Sequence, residues 1–203
     1  MIRLSVVLPV LCLAWFCAPP AAAQSDDGAF RVGAQIAGAV SSEFDTTDIG
    51  IGGRLAWHPT TRLGVEGELT LYPRDFPDGF PFSASRVEGL FGATIGPRVG
   101  RLRPFVRVRP GFVTFREAPD PIACIAIFPP PLPCTLSSGR TLFALDLGGG
   151  VEWLSFGRTF VRIDAGDRVL RYPMPVIDPD DGIREDGFFS HDFRFTIGGG
   201  LRF

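Results

Sequence analysis

Eight segments of this chain alternate apolar with polar or small residues, and nothing between them keeps a sustained helical period. Successive side chains of a strand point to opposite faces, so each segment carries one apolar face and one mixed face. In the first, Phe30, Val32, Ala34, Ile36 and Gly38 alternate with Arg31, Gly33, Gln35 and Ala37. The second sets Ile49, Ile51, Leu55 and Trp57 against Gly50, Gly52, Arg54 and His58. The third sets Leu63, Val65, Leu69 and Leu71 against Arg62, Glu66, Glu68 and Thr70. In the fourth, Val87, Phe91, Ala93 and Ile95 face away from Arg86, Glu88, Gly92 and Thr94. The fifth opposes Leu102, Val106, Val108 and Phe112 to Arg103, Arg107, Arg109 and Gly111. The sixth runs from Arg140 to Trp153, with Asp146, Gly148 and Glu152 on its polar face. Val161, Ile163 and Ala165 alternate with Arg162, Asp164 and Gly166 in the seventh, and Phe193, Phe195, Ile197, Leu201 and Phe203 with Arg194, Thr196, Gly198, Gly200 and Arg202 in the eighth. A load of 25 Gly and 19 Pro further opposes a helical bundle.

Each segment is close to the roughly 9–11 residues that cross a bilayer as a tilted strand. Alternation alone would also suit a soluble sandwich. The connections discriminate. Those after the second, fourth and sixth segments are tight: His58 to Thr61, Pro97 to Arg101, and Leu154 to Arg158. Those after the first, third, fifth and seventh read as long, the last two spanning about Glu117–Ser138 and Arg171–Ser190. Short and long connections in turn place all short ones at one end, the layout of a transmembrane barrel with periplasmic turns and outer loops. The faces agree, since a membrane barrel puts apolar groups against lipid and charge inside. Glycines on the mixed face leave room there for Arg and Glu. Trp57, Trp153 and Phe203 at the short-turn end, and Tyr72 and Tyr172 near the other rim, are expected to form outward aromatic girdles.

The chain opens as an export address. Arg3 precedes an apolar run from Leu4 to Ala18, and Ala21, Ala22 and Ala23 end it in small residues. Cleavage between Ala23 and Gln24 is expected, leaving a barrel domain over 24–203. Pro9, Pro19, Pro20 and the short run argue against a membrane anchor, and Trp15 and Phe16 before Cys17 do not suit a lipidation signal. Cys12 and Cys17 leave with the leader. The remaining pair, Cys124 and Cys134, is expected to form a disulfide in an oxidising compartment.

The C-terminal segment carries a resemblance. Phe203 ends the chain, with Leu201, Ile197, Phe195 and Phe193 at alternate places before it, similar to the C-terminal assembly signal of bacterial outer-membrane proteins. The stretch from Gly50 to Pro59, continuing from Thr61 to Leu69, looks like the second hairpin of the OmpA-like or OmpX-like β-barrel family. The resemblance runs from Phe30 to Phe203. It implies an all-β, eight-stranded antiparallel up-and-down barrel in the cell outer membrane, with lipid around it and the barrel-assembly machinery acting on its last strand. No functional residue transfers with it.

Candidate sites follow from the faces. Arg54, Arg86, Arg107, Arg109, Arg162 and Arg194 share the expected interior with Glu66, Glu68, Glu88, Asp146, Glu152 and Asp164. They could form a selectivity field. An ion-pair network filling a narrow bore is favoured, because eight strands leave space only for side chains. Ser190, His191 and Asp192 suggest a hydrolase, but adjacent strand residues face opposite sides, so His191 should point out while its neighbours point in. His58, in a Trp-His-Pro sequence, reads as a polar turn residue. No catalytic residue, cofactor or metal is expected: the only histidines are His58 and His191, and no C-x-x-C occurs. The acidic run Asp178 to Asp186 lacks a twelfth-position calcium ligand and reads as a solvated loop. Arg74, Arg116, Arg171 and Arg184 at the rim could meet lipopolysaccharide phosphates. Ile125, Ile127, Phe128 and Leu132, between the cysteines, are either a contact patch or a lid over the barrel mouth. A net charge of −2 excludes a nucleic-acid field. The expected function is non-enzymatic, structural or surface-interacting through the outer loops. A small pore or transporter of hydrophobic compounds is the alternative, with a lipid-modifying enzyme behind it.

Overall fold

The computed structural model describes residues 30–42, 46–73, 85–116, 129, 136, 139–155, 157–172, 176–178, 182–184 and 186–203. The leader, Arg74, Cys124, Cys134 and the apolar tip between the cysteines lie outside the described residues, as do Asp180, Asp181 and Glu185. Among the described residues there are ten strands: β1 (Phe30–Ser41), β2 (Thr46–Trp57), β3 (Leu63–Tyr72), β4 (Arg86–Ile95), β5 (Leu102–Phe115), β6 (Arg140–Leu154), β7 (Thr159–Tyr172), β8 (Val176–Asp178), β9 (Gly182–Arg184) and β10 (Phe188–Arg202). Eight of them close an antiparallel barrel in the order β1-β10-β7-β6-β5-β4-β3-β2. The remaining pair, β8 and β9, is a small hairpin between β7 and β10, so the stretch read as a plain acidic loop contains regular structure.

Closure is made by the first and last strands. Arg31 pairs with Arg202 and the register holds to Val40 opposite Phe193. Beyond the ladder, Phe203 N–H donates to Phe30 C=O at 2.8 Å and Phe30 N–H returns at 3.3 Å. Phe195 lies across this seam from Gly38. A side chain on Gly38 would run into the Phe195 ring, so the glycine is the floor on which that ring rests. Phe112 covers Gly89 in the same way half a turn around the barrel.

At one end the connections are tight, with Gly100 and Gly157 at positive φ (61° and 71°), where an L side chain would be strained. The other end departs from the sequence reading in one place. The connection after β1 spans only residues 42–45, because β1 continues to Ser41 and β2 begins at Thr46. Three outer connections are therefore long and one is as short as the turns below.

The wall is inverted relative to a soluble protein. Val32, Ile36, Ile51, Leu55, Leu69, Phe91, Val106, Val108, Ile163 and Ile197 are exposed, while Arg107, Arg109, Arg168, Arg194, Glu66 and Asp146 are buried. That is the arrangement lipid demands. Trp57, Trp153 and Phe203 face outward. Tyr72 and Tyr172 do not: both are buried, 3% and 4% exposed, and point into the lumen. Their positions share the parity of Glu66 and Glu68 on β3 and of Arg162 and Arg168 on β7, which fixes them inside.

Candidate functional site

The lumen is stacked in three layers. At the outer mouth, Leu90, Val113, Phe115, Leu142, Leu170, Tyr172 and Phe188 form an apolar cluster joined from the long β5–β6 connection by Leu136, which is fully buried. Gly139 N–H donates to Leu136 C=O at 3.1 Å. At the short-turn end, Ala56, Phe105, Leu154 and Phe160 are buried apolar residues. Between the two lie the charges.

Alternation delivers these charges inward from every barrel strand, and their pairs cross the bore. Arg109 on β5 donates through Nη1 to Glu66 at 3.0 Å and Glu68 at 2.6 Å, and through Nη2 to Asp146 at 2.8 Å. Arg162 on β7 reaches Glu66 on the diametrically opposite β3 at 2.6 Å, holds Asp164 at 2.8 Å and lies 4.0 Å over the Phe105 ring. Arg107 donates to Asp146 at 2.6 Å and also to Asp164. Arg54 meets Glu68 at 2.7 Å and Asp164 at 3.3 Å. Thr196 donates its hydroxyl to Asp164 at 2.6 Å.

Toward the outer end, Glu88 on β4 accepts from Arg168 at 2.5 Å and from Arg194, on the opposite β10, at 2.9 Å. Arg194 also contacts Glu68 and so ties this group to the central one. Arg168 reaches Asp192 at 2.5 Å. Arg86 pairs with Asp48 and lies 4.5 Å over the Tyr72 ring. Toward the short turns, Glu152 accepts from Arg31. All twelve residues read from the sequence as lumenal charges thus sit in ion pairs. Arg31, Asp48, Arg168 and Asp192 were missed as members of these pairs, although the same two-residue period assigns them to this face.

His58 differs most from its sequence reading. It is no exposed turn residue but is buried against Arg103, whose Nη1 contacts its Nε2. Burial, then the charges of Arg103 and Arg31, push its pKa from 6.5 down to about 2, so the ring is neutral. Guanidinium can only donate, so Nε2 accepts and the ring proton is on Nδ1.

Ser190 and Asp192 face inward, where the Ser190 hydroxyl donates to Asp192 at 3.3 Å. His191 lies on the outer surface and its Nδ1 is 2.7 Å from Asp167. The wall separates the ring from the serine, and no nucleophile–base pair forms among them. Arg171 stacks 4.8 Å over the exposed Phe189 ring at the outer rim and donates to the Asp186 carbonyl at 3.1 Å. Among the described residues no group of three or more His, Cys, Asp or Glu is arranged to hold a metal.

No protein-family model matches the chain, and no curated protein matches it in sequence. Solved structures do. Neisserial surface protein A superposes with a TM-score of 0.54 at 14% identity, covering 86% of this chain and 97% of that one. The N-terminal β-barrel domain of Pseudomonas aeruginosa OprF superposes with a TM-score of 0.50 at 11% identity, covering 87% and 99%. At such identities the likeness is one of fold. This chain has the fold of the eight-stranded outer-membrane β-barrels, the OmpA-like and OmpX-like architecture: closed, antiparallel and up-and-down.

Proposed function

We propose that this chain is a non-enzymatic integral protein of the cell outer membrane whose structural or surface-interaction role is carried by its extracellular loops. The observation that carries the reading is the set of ion pairs joining opposite walls, Arg162 to Glu66 and Arg194 to Glu88. Side chains that span the bore occupy the space a solute would need. With the lumen filled and the wall given over to lipid, the three long outer connections are the part free to vary and to bind. Export through a leader cleaved before Gln24, lipid and lipopolysaccharide around the rim, and the assembly machinery on the last strand (Phe195, Ile197, Leu201 and Phe203) complete the reading. Deleting the β3–β4 and β5–β6 connections singly should leave a heat-modifiable barrel and abolish cross-linking to a surface partner on intact cells. Unchanged cross-linking after both deletions would remove the loops from the role.

A second reading, uptake of hydrophobic compounds, draws on the apolar cluster at the outer mouth. It requires that Leu136 be displaced to admit a ligand. Saturable binding of an apolar fluorophore, lost when Leu142 and Leu170 are replaced by Asn, would favour it over the first.

A further inference from the structure

We propose that the short-turn end of the lumen binds a small inorganic anion of the halide class, held by the guanidiniums of Arg103 and Arg31. Nine arginines are buried in the lumen against seven buried carboxylates, with half-buried Asp48 an eighth. The imbalance has a location. Arg31, Arg54, Arg86, Arg107, Arg109, Arg162, Arg168 and Arg194 each lie on at least one carboxylate. Arg103 lies on none among the described residues, although it is 1% exposed and stands directly opposite Glu152 in the β5–β6 register. Glu152 is taken by Arg31.

The unpartnered atoms at this end have one chemical sense. Arg103 Nε and Nη2 and Arg31 Nε are buried without an acceptor among the described residues, and so is His58 Nδ1. With the imidazole proton on Nδ1, all four are donors, but Nδ1–H points away from the Nε2 contact with Arg103, so the ion is placed on the two guanidiniums and His58 serves to position Arg103. Thr94 Oγ1, also unpartnered, is a hydroxyl and can donate as well. It lies beside the same bare backbone as the His58 ring: a Cβ built on Gly64 would be 2.7 Å from both Thr94 Oγ1 and His58 Nε2. Phe105, Leu154 and Phe160 make the surroundings apolar, so the surplus charge is poorly compensated by solvent. A water molecule could accept two of these bonds but would bring no charge. A halide accepts from several donors in any direction and neutralises the surplus. Arg31 and Arg103 are the second residues of their strands and His58 directly follows β2, so the site is within reach of the short-turn aperture.

The test uses the intact folded barrel in detergent micelles, titrated with urea at fixed pH and ionic strength in sodium chloride, sodium bromide or sodium gluconate. Chloride and bromide should raise the unfolding midpoint saturably and gluconate should not. Arg103→Gln should raise the half-saturating chloride concentration about tenfold or more, the loss of a charged hydrogen bond, while Arg62→Gln in the exposed turn should not. Crystals grown in bromide should show an anomalous peak within hydrogen-bond distance of the Arg103 guanidinium in the unmutated protein, which decides the matter even if Arg103→Gln does not fold. Equal midpoints in chloride and gluconate, or a bromide crystal with no such peak, would overturn the proposal and leave water as the occupant.

Discussion

Arg109 is the residue on which most of the interior depends, because Glu66, Glu68 and Asp146 all accept from it. A buried ion pair adds modest net stability over an apolar substitute, but removing one partner strands the other in a low-dielectric site. Arg109→Met should therefore cost about 3–5 kcal/mol, read as a drop in the urea midpoint of the refolded barrel. A change within experimental scatter would mean that water reaches these carboxylates. His58 supplies a pH dependence with a definite sign. Its pKa is about 2 in the folded barrel against 6.5 when free, so the unfolded chain binds the extra proton. The contribution is fully present above pH 6.5 and is lost as pH falls below it, by at most about 1.4 kcal/mol per pH unit. The groups acting on the ring are Arg103 and Arg31, with Glu66 opposing and Arg162 reinforcing them. Between pH 6.5 and 5, above the carboxylate range, the unfolding midpoint of the native chain should fall, and His58→Gln should flatten that slope. Parallel slopes in the two proteins would show that the ring is protonated in the fold. Alternation already set His58 on the inward face with Arg54, but its place before Pro59 read as a turn, and the burial itself depends on Arg103 arriving from a strand more than forty residues further on.

At the scale of elements, the seam between β1 and β10 is where closure is decided. Phe195 rests on Gly38 there and packs 6.4 Å from Phe193. Phe195→Ala should uncover Gly38, slow barrel formation in lipid vesicles and lower the yield of the heat-modifiable band; restoration by Phe195→Tyr would show that the ring itself is needed. Unaltered folding kinetics in the alanine variant would put the seam's stability in the backbone ladder alone. The long β5–β6 connection carries a covalent prediction. Cys124 and Cys134 should be paired, so the unreduced protein should titrate no free thiols, and two reactive thiols would end that assignment. The strands themselves were legible because a two-residue period with charge on one face is unambiguous over ten or more residues. The tyrosines at their outer ends were not, since the expectation of an aromatic girdle overrode the parity that Glu66, Glu68 and Thr70 set for Tyr72. The first outer connection was misjudged for a different reason: polar residues such as Thr46, Thr47 and Asp48 read as loop, yet they extend β2.

On the scale of the whole molecule, the outside and the inside pose one problem with one solution. Lipid requires the apolar face outward, which sends the other face of every strand into a bore only wide enough for side chains. The charges there must then find partners, and in an eight-stranded ring opposite walls are close enough for Arg and Glu to meet. Membership of the polar face could be read strand by strand. Which arginine meets which carboxylate could not, because the pairs depend on closure and stagger, which alternation does not encode. The surplus at Arg103 follows from the same geometry, as β5 brings three arginines inward, at 103, 107 and 109. If the pairs fill the bore, the barrel is electrically silent. Single-channel recording of the purified protein in planar bilayers tests this most directly: the trace should stay at the baseline of the protein-free membrane across applied voltages, and large, steady current steps would contradict a filled lumen.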